Sequence, residues 1–173
     1  MSVEQYHPSE EKEYIRNLVF LFFVNTTKVL TLPNLHFELE TLLLKDGKEV
    51  HCCEKVQHIY QKQCVIAPEN VKLHYGDIKT LDLGQYDGLF LDFCGYWNKD
   101  TSEILSKIKK GAYVVLTFMM NRESKTAQKL IDINKREESY VRLLATFGIQ
   151  VEKFATYGSF RSPMAVFMGR KLI

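Results

Sequence analysis

The chain ends in two strand-like runs, Ile149 to Phe160 and Met164 to Leu172, separated only by Arg161-Ser162-Pro163. Three residues cannot carry a helical crossover, so these runs are expected to pair antiparallel as a hairpin. The rest of the chain follows another rhythm. Short apolar runs at Lys28 to Leu32, Glu49 to Cys53, Val71 to Tyr75, Tyr86 to Asp92 and Ala112 to Met119 are set apart by longer stretches, most of them with helical start and stop signals. Strands alternating with helices make a parallel sheet with right-handed crossovers. The expected order is an N-terminal helix, β-α repeated five times, then the hairpin. That is an α/β fold with a doubly wound, mostly parallel seven-stranded sheet, helices on both faces, ending in an antiparallel β-hairpin.

Local signals give the expected bounds. Ser9, followed by Glu10 and Glu11, opens a helix running to about Val24, its acids at the positive end of the dipole. Asn34 caps a helix through Leu44 that Asp46-Gly47 ends, and Lys55 to about Gln63 makes a shorter one. Thr101 to Lys109 is helical, with Lys107, Lys109 and Lys110 at the end that favours cations, and Gly111 stops it. Ala112 to Met119 is almost continuously apolar, as a strand covered on both faces must be. Ser124 caps a long helical stretch to about Phe147, and Gly148 closes it.

No linker divides the 173 residues, so one domain is expected over 1–173, with 1–27 a helical extension and 28–173 the core. The 46% apolar and 25% charged residues are those of a soluble globular protein. A net charge of +2 neither demands nor excludes nucleic acid. Cys52, Cys53, Cys64 and Cys94 lack zinc spacing, and no metal site is expected. Adjacent Cys52 and Cys53 on one strand point to opposite faces, and the cysteines read as reduced packing residues. Met1 to Glu13 is too polar for a signal peptide, and Leu18 to Val24 too short to span a bilayer, so a cytoplasmic protein with no membrane partner is expected.

In open α/β sheets, ligands sit beyond the carboxyl ends of the strands, where the strand order reverses. Glu54 follows the second strand, roughly twenty residues past the first strand-helix turn, where dinucleotide folds place a ribose-binding acid. Gly76-Asp77-Ile78 follows the third, Asp92 with Tyr96 and Trp97 the fourth, and Asn121 with Arg122 the fifth. Asp92 is a candidate base, Arg122 a fork for a phosphate or carboxylate, and Arg161 another basic candidate. Each acid is equally well read as a turn or cap residue, and each aromatic as packing.

Five parallel strands and a closing hairpin resemble the core of the class I S-adenosylmethionine-dependent methyltransferases, over nearly the whole chain from Lys28. The resemblance implies S-adenosylmethionine as cofactor, with Glu54 and Lys55 near the ribose and Asp77 and Ile78 near the adenine. Asp92 falls where the amino-methyltransferase branch carries (D/N)PP(Y/F/W), so Asp92 with Tyr96 or Trp97 would present the acceptor, and Asn121 and Arg122 would bind it. By that analogy the acceptor is a base of DNA or RNA. The family's first turn is glycine-rich, whereas Thr31-Leu32-Pro33-Asn34-Leu35-His36-Phe37-Glu38 has no glycine. There Glu38 or Asn34 would meet the cofactor's amino-acid end, and Leu32, Pro33 and Asp92 would also contact the cofactor. Cys94 as a covalent nucleophile lacks the Pro-Cys pair of cytosine C5 methylation. Two alternatives stay open: a non-catalytic methyltransferase-like module binding a protein partner or nucleic acid, and an NAD(P)-dependent enzyme. Lacking an insertion for substrate recognition, the chain is expected to complete its site as a homodimer or with a second subunit.

Overall fold

The computed structural model describes residues 10–93, 95–120, 132, 135–158 and 163–173. The elements in order are α1 (Glu10–Phe22), β1 (Lys28–Thr31), α2 (Glu38–Lys45), β2 (Glu49–Glu54), α3 (Gln57–Ile66) and β3 (Lys72–Tyr75). They continue with β4 (Gly88–Asp92), α4 (Lys99–Ser106), β5 (Tyr113–Met119), α5 (Arg136–Thr146), β6 (Ile149–Tyr157) and β7 (Met164–Lys171). All seven strands join one sheet in the order β3-β2-β1-β4-β5-β7-β6. Pairs from β3 through β5 are parallel, while β7 runs antiparallel to both β5 and β6. The terminal runs thus form the expected hairpin, with β7 inserted beside β5.

Two apolar layers cover the two faces. On one, Leu30, Leu89, Leu91, Val114 and Leu116 meet Ile104 and Leu105 of α4 and Tyr140 and Leu144 of α5. On the other, Val29, Val50, Val115 and Val166 meet Ile15 and Val19 of α1 and Leu39 and Leu43 of α2. The strand alternation that divides them also sends Cys52 to one layer and Cys53 to the other. Both thiols are free and buried, and burial raises the proton affinity of both, that of Cys53 to about 11.

Three expectations need correction. No α-helix links β3 to β4. Two 3-10 turns, Ile78–Thr80 and Leu83–Gln85, do so instead, capped by the side chains of Asp77 and Asp82. Asn34 does not cap α2. Its carboxamide oxygen accepts from the amides of His36 (2.7 Å) and Phe37 (3.2 Å), making a local turn. Phe37 then adopts a left-handed conformation (φ 51°), and the helix begins only at Glu38. α4 starts two residues early, at Lys99, because Asn98 forms a capping box with Thr101. Of the helix expected from Ser124, only α5 falls among the described residues.

Away from the strand ends, β2 and β3 carry a polar cluster. His51 Nδ1 lies 2.8 Å from His74 Nε2 and 3.0 Å from the Tyr86 hydroxyl, and His51 Nε2 lies 2.7 Å from Glu49. Burial first, with nearby Lys28 adding, lowers the proton affinity of both imidazoles. Among the described residues no group of three His, Cys, Asp or Glu is placed to hold a metal ion. Nor is any described helix long and apolar enough to cross a membrane.

Candidate functional site

The chain winds outward from β1 through β2 to β3, then returns to lay β4 on the other side of β1. That reversal leaves a crevice over the strands' carboxyl ends. Two adjoining cavities occupy it, of about 650 Å³ and 570 Å³. They share Leu32, Pro33, Asn34, Glu54, Ile59 and Asp92. Each volume lies in the range of small-molecule pockets.

The smaller cavity gathers Lys55, Asp77, Ile78 and Tyr96 around the shared residues. Glu54 ends β2, and its Oε1 accepts the Val56 amide (2.7 Å), tying the strand to the start of α3. Its Oε2 has no partner among the described residues, so it remains an acceptor for paired hydroxyls. On the neighbouring strand end, Asp77 accepts the Lys79 amide (2.9 Å) through Oδ1, with Lys79 Nζ at 3.6 Å from Oδ2. Gly76, at φ 138°, makes the bend between them, and its amide bonds to the Glu54 carbonyl (3.0 Å). The turn reading of each acid therefore holds: one oxygen fixes a turn while the side chain lines the cavity.

The larger cavity runs from the shared residues under α1. Ile15, Arg16 and Val19 roof it, and Phe90, Met119 and Met164 form its far wall. α1 is held in place at two points. Arg16 pairs with Glu38 of α2 at 2.7 Å, and Glu11 accepts the Gly158 amide (3.1 Å) just past β6. Asp92 opens onto both cavities, and the Thr117 hydroxyl donates to it.

The structure therefore brings Leu32, Pro33, Asn34, Glu54 and Asp92 to both cavities, Glu38 to the larger, and Lys55, Asp77, Ile78 and Tyr96 to the smaller. Tyr96 donates its hydroxyl to Met119 Sδ (3.1 Å) and sits in the cavity of Asp77. Trp97 must be withdrawn as an acceptor-stacking ring. It is 2% exposed and packs on Phe118, Phe147 and Tyr140, with its indole N–H donating to Ser102 (3.2 Å). Asn121, Arg122, Cys94 and Arg161 lie outside the described residues.

Sequence reasoning missed the contribution of α1, taken as an extension outside the core, and it missed Glu40. Glu40 is 3% exposed and lines the larger cavity. Burial is the main cause that raises its carboxyl above the ordinary range, against the lowering effect of the nearby Thr31 hydroxyl. No local signal marks it, since Glu-Leu-Glu opens an amphipathic helix whichever acid faces inward.

No family profile and no curated protein matches the chain in sequence. Solved structures match it in fold. A protein of Pyrococcus horikoshii aligns with a TM-score of 0.65 at 14% identity, over 94% of this chain and 92% of its own. Magnesium protoporphyrin IX methyltransferase of Synechocystis, solved with bound SAH, gives 0.65 at 13%, over 92% and 83%. A tRNA methyltransferase of B. subtilis gives 0.64 at 10%, over 95% and 67%. Others are much longer: the chain spans 65% of PigF, solved with SAH, at a TM-score of 0.58 and 16% identity over 94% of this chain. At these identities the likeness establishes architecture alone. The sheet order, the inserted antiparallel strand and these neighbours together give the chain the fold of the class I S-adenosylmethionine-dependent methyltransferases.

Proposed function

We propose that the chain is an S-adenosylmethionine-dependent methyltransferase acting on a small acceptor. One observation carries the reading: Glu54 and Asp77, on adjacent strand ends, share a cavity that joins a second, roofed one at Asp92. The residues fit the nucleoside half of the cofactor. Glu54 keeps an oxygen for the ribose hydroxyls, and Asp77 and Ile78 stand one strand further along for the adenine. The bound cofactor would supply a methyl group already activated on a sulfonium. The protein's own task is then to hold the acceptor in line and keep water out, which is chiefly proximity and orientation. Buried Ile15, Val19 and Leu39 supply the dry walls, and the Thr117 bond fixes Asp92 between the compartments.

A nucleic-acid base is the less favoured acceptor. Of its two expected stacking partners, Tyr96 lines the smaller cavity but Trp97 is core, and among the described residues Glu38, Glu40, Glu54 and Asp92 line the larger cavity against Lys12 and Arg16. Phosphates meet repulsion there. The second reading, a non-catalytic module, draws on the first turn. Pro33 offers no amide, and Asn34 already engages those of His36 and Phe37. Calorimetric titration with S-adenosylmethionine and S-adenosylhomocysteine decides between them. Micromolar binding that Glu54→Ala and Asp77→Ala each weaken at least about tenfold, in folded protein, is expected. Folded wild type that binds neither compound refutes the enzyme reading and leaves the module.

A further inference from the structure

The larger cavity contains a carboxyl for which cofactor binding at Glu54 and Asp77 has no use. Glu40 is the third residue of α2, buried, and lines that cavity beneath α1. The hydroxyl of Thr31, at the end of β1, and its own backbone amide offset part of the burial effect on it. No cation pairs with it among the described residues, because Arg16, the basic group that senses it, is bound to Glu38 at 2.7 Å. A carboxylate withdrawn from water without a counter-ion is unfavourable, and its neighbours intensify the demand for positive charge. Glu38, Glu54 and Asp92 face the same space. The remaining walls set Lys12, Asn34, His36 and Tyr157 beside apolar Ile15, Val19, Leu39, Phe90, Met119 and Met164, so four carboxyls stand against Lys12 and the Glu38-bound Arg16. Such a lining selects a compact apolar body carrying one cationic nitrogen and rejects anions.

We propose that the α1-roofed cavity binds a small organic amine as the methyl acceptor, its nitrogen addressed to the Glu40 carboxylate. This rests on the methyl-transfer reading. The bound ammonium passes one proton to Glu40, which becomes a neutral carboxyl beside Thr31, and the nitrogen keeps its lone pair. That pair forms the new nitrogen–carbon bond as the sulfur–carbon bond breaks. Sulfur retains the bonding electrons and loses its positive charge, which the nitrogen takes up. Burial favours the neutral form of Glu40, which is the form that this proton transfer leaves behind.

The test is calorimetry on protein saturated with S-adenosylhomocysteine, using benzylamine, 2-phenylethylamine and tryptamine beside their alcohol and carboxylate counterparts. At least one amine is expected to bind at least about tenfold more tightly than its alcohol, with the carboxylate not binding. Glu40→Gln is expected to remove that preference while changing affinity for S-adenosylhomocysteine by less than about threefold. The amine-against-alcohol comparison in wild type decides even if Glu40→Gln fails to fold. Amine and alcohol binding alike, or no amine binding, overturns the proposal. So does a loss of S-adenosylhomocysteine affinity of about tenfold or more in Glu40→Gln, which would assign Glu40 to the cofactor's own ammonium. Wild type that takes an amine but not S-adenosylhomocysteine refutes the methyl-transfer reading and keeps the amine site.

Discussion

Replacing Trp97 by alanine separates a core role from a surface one. The indole is 2% exposed, lies 5.4 Å from the Phe147 ring and 5.7 Å from that of Phe118, and donates to Ser102. A buried tryptophan removes on the order of 150–250 Å² from water. At about 25 cal/mol per Å² that is roughly 4–6 kcal/mol before the surroundings relax. Large-to-small substitutions of buried aromatics cost about 3–5 kcal/mol, in agreement. In a 173-residue chain each kcal/mol lowers Tm by about 2–4 °C, so Trp97→Ala is expected to drop it by roughly 6–20 °C. Trp97→Phe retains most of the ring and is expected to lose much less. Scanning calorimetry measures both, and titration with S-adenosylhomocysteine well below Tm checks that the site persists. A Trp97→Ala variant with Tm within about 2 °C of wild type, yet with ligand binding lost, would refute the core placement.

Two further changes test the frame around the site. His51 and His74 are held neutral, with their folded-state affinities below the ordinary value of about 6.5. Their contribution is therefore complete above pH 6.5 and lost as pH falls through the lowered values. The urea midpoint is expected to be level from pH 8 to 7 and to fall between about 6.5 and 5, a fall that His74→Asn should flatten; a level wild-type midpoint across that window would show the pair is not buried neutral. Gly169 on β7 has no room for a side chain, since a Cβ there would stand 2.9 Å from the Gln150 carbonyl carbon and 3.0 Å from Val151 Cα. Gly169→Ala should push β6 off β7 at its bulge and lower Tm by at least about 5 °C; an unchanged Tm would show that the strands yield freely.

The sheet was legible because its signals are local. A three-residue link admits only a hairpin, and alternation alone sent Cys52 and Cys53 to opposite layers. Glu54 and Asp77 were legible for the same reason, since strand ends define where a ligand lies. Trp97 was not, because an aromatic five residues past a strand looks the same whether it turns toward the crevice or beneath the sheet. Packing by Phe118 and Phe147 decides that, and both are distant in sequence. Arg16 and Glu40 depend on how α1 settles over α2, which no window of either helix records. Asn34 was read as the cap of α2, and it instead bonds the amides of His36 and Phe37. The left-handed Phe37 moved that bond from the helix to the turn before it.

The same turn has a thermodynamic corollary. A glycine-rich loop wanders when empty and surrenders that freedom when a ligand arrives. Here Pro33 has a fixed φ, its carbonyl accepts from the buried Gln63 (3.2 Å), and Asn34 staples the His36 and Phe37 amides in advance. The loop's entropy is thus lost once, during folding, and not again at each encounter. Association at such a rigid lip spends little on ordering. It discriminates by contour, admitting what matches the existing shape and declining analogues that a supple loop would accommodate.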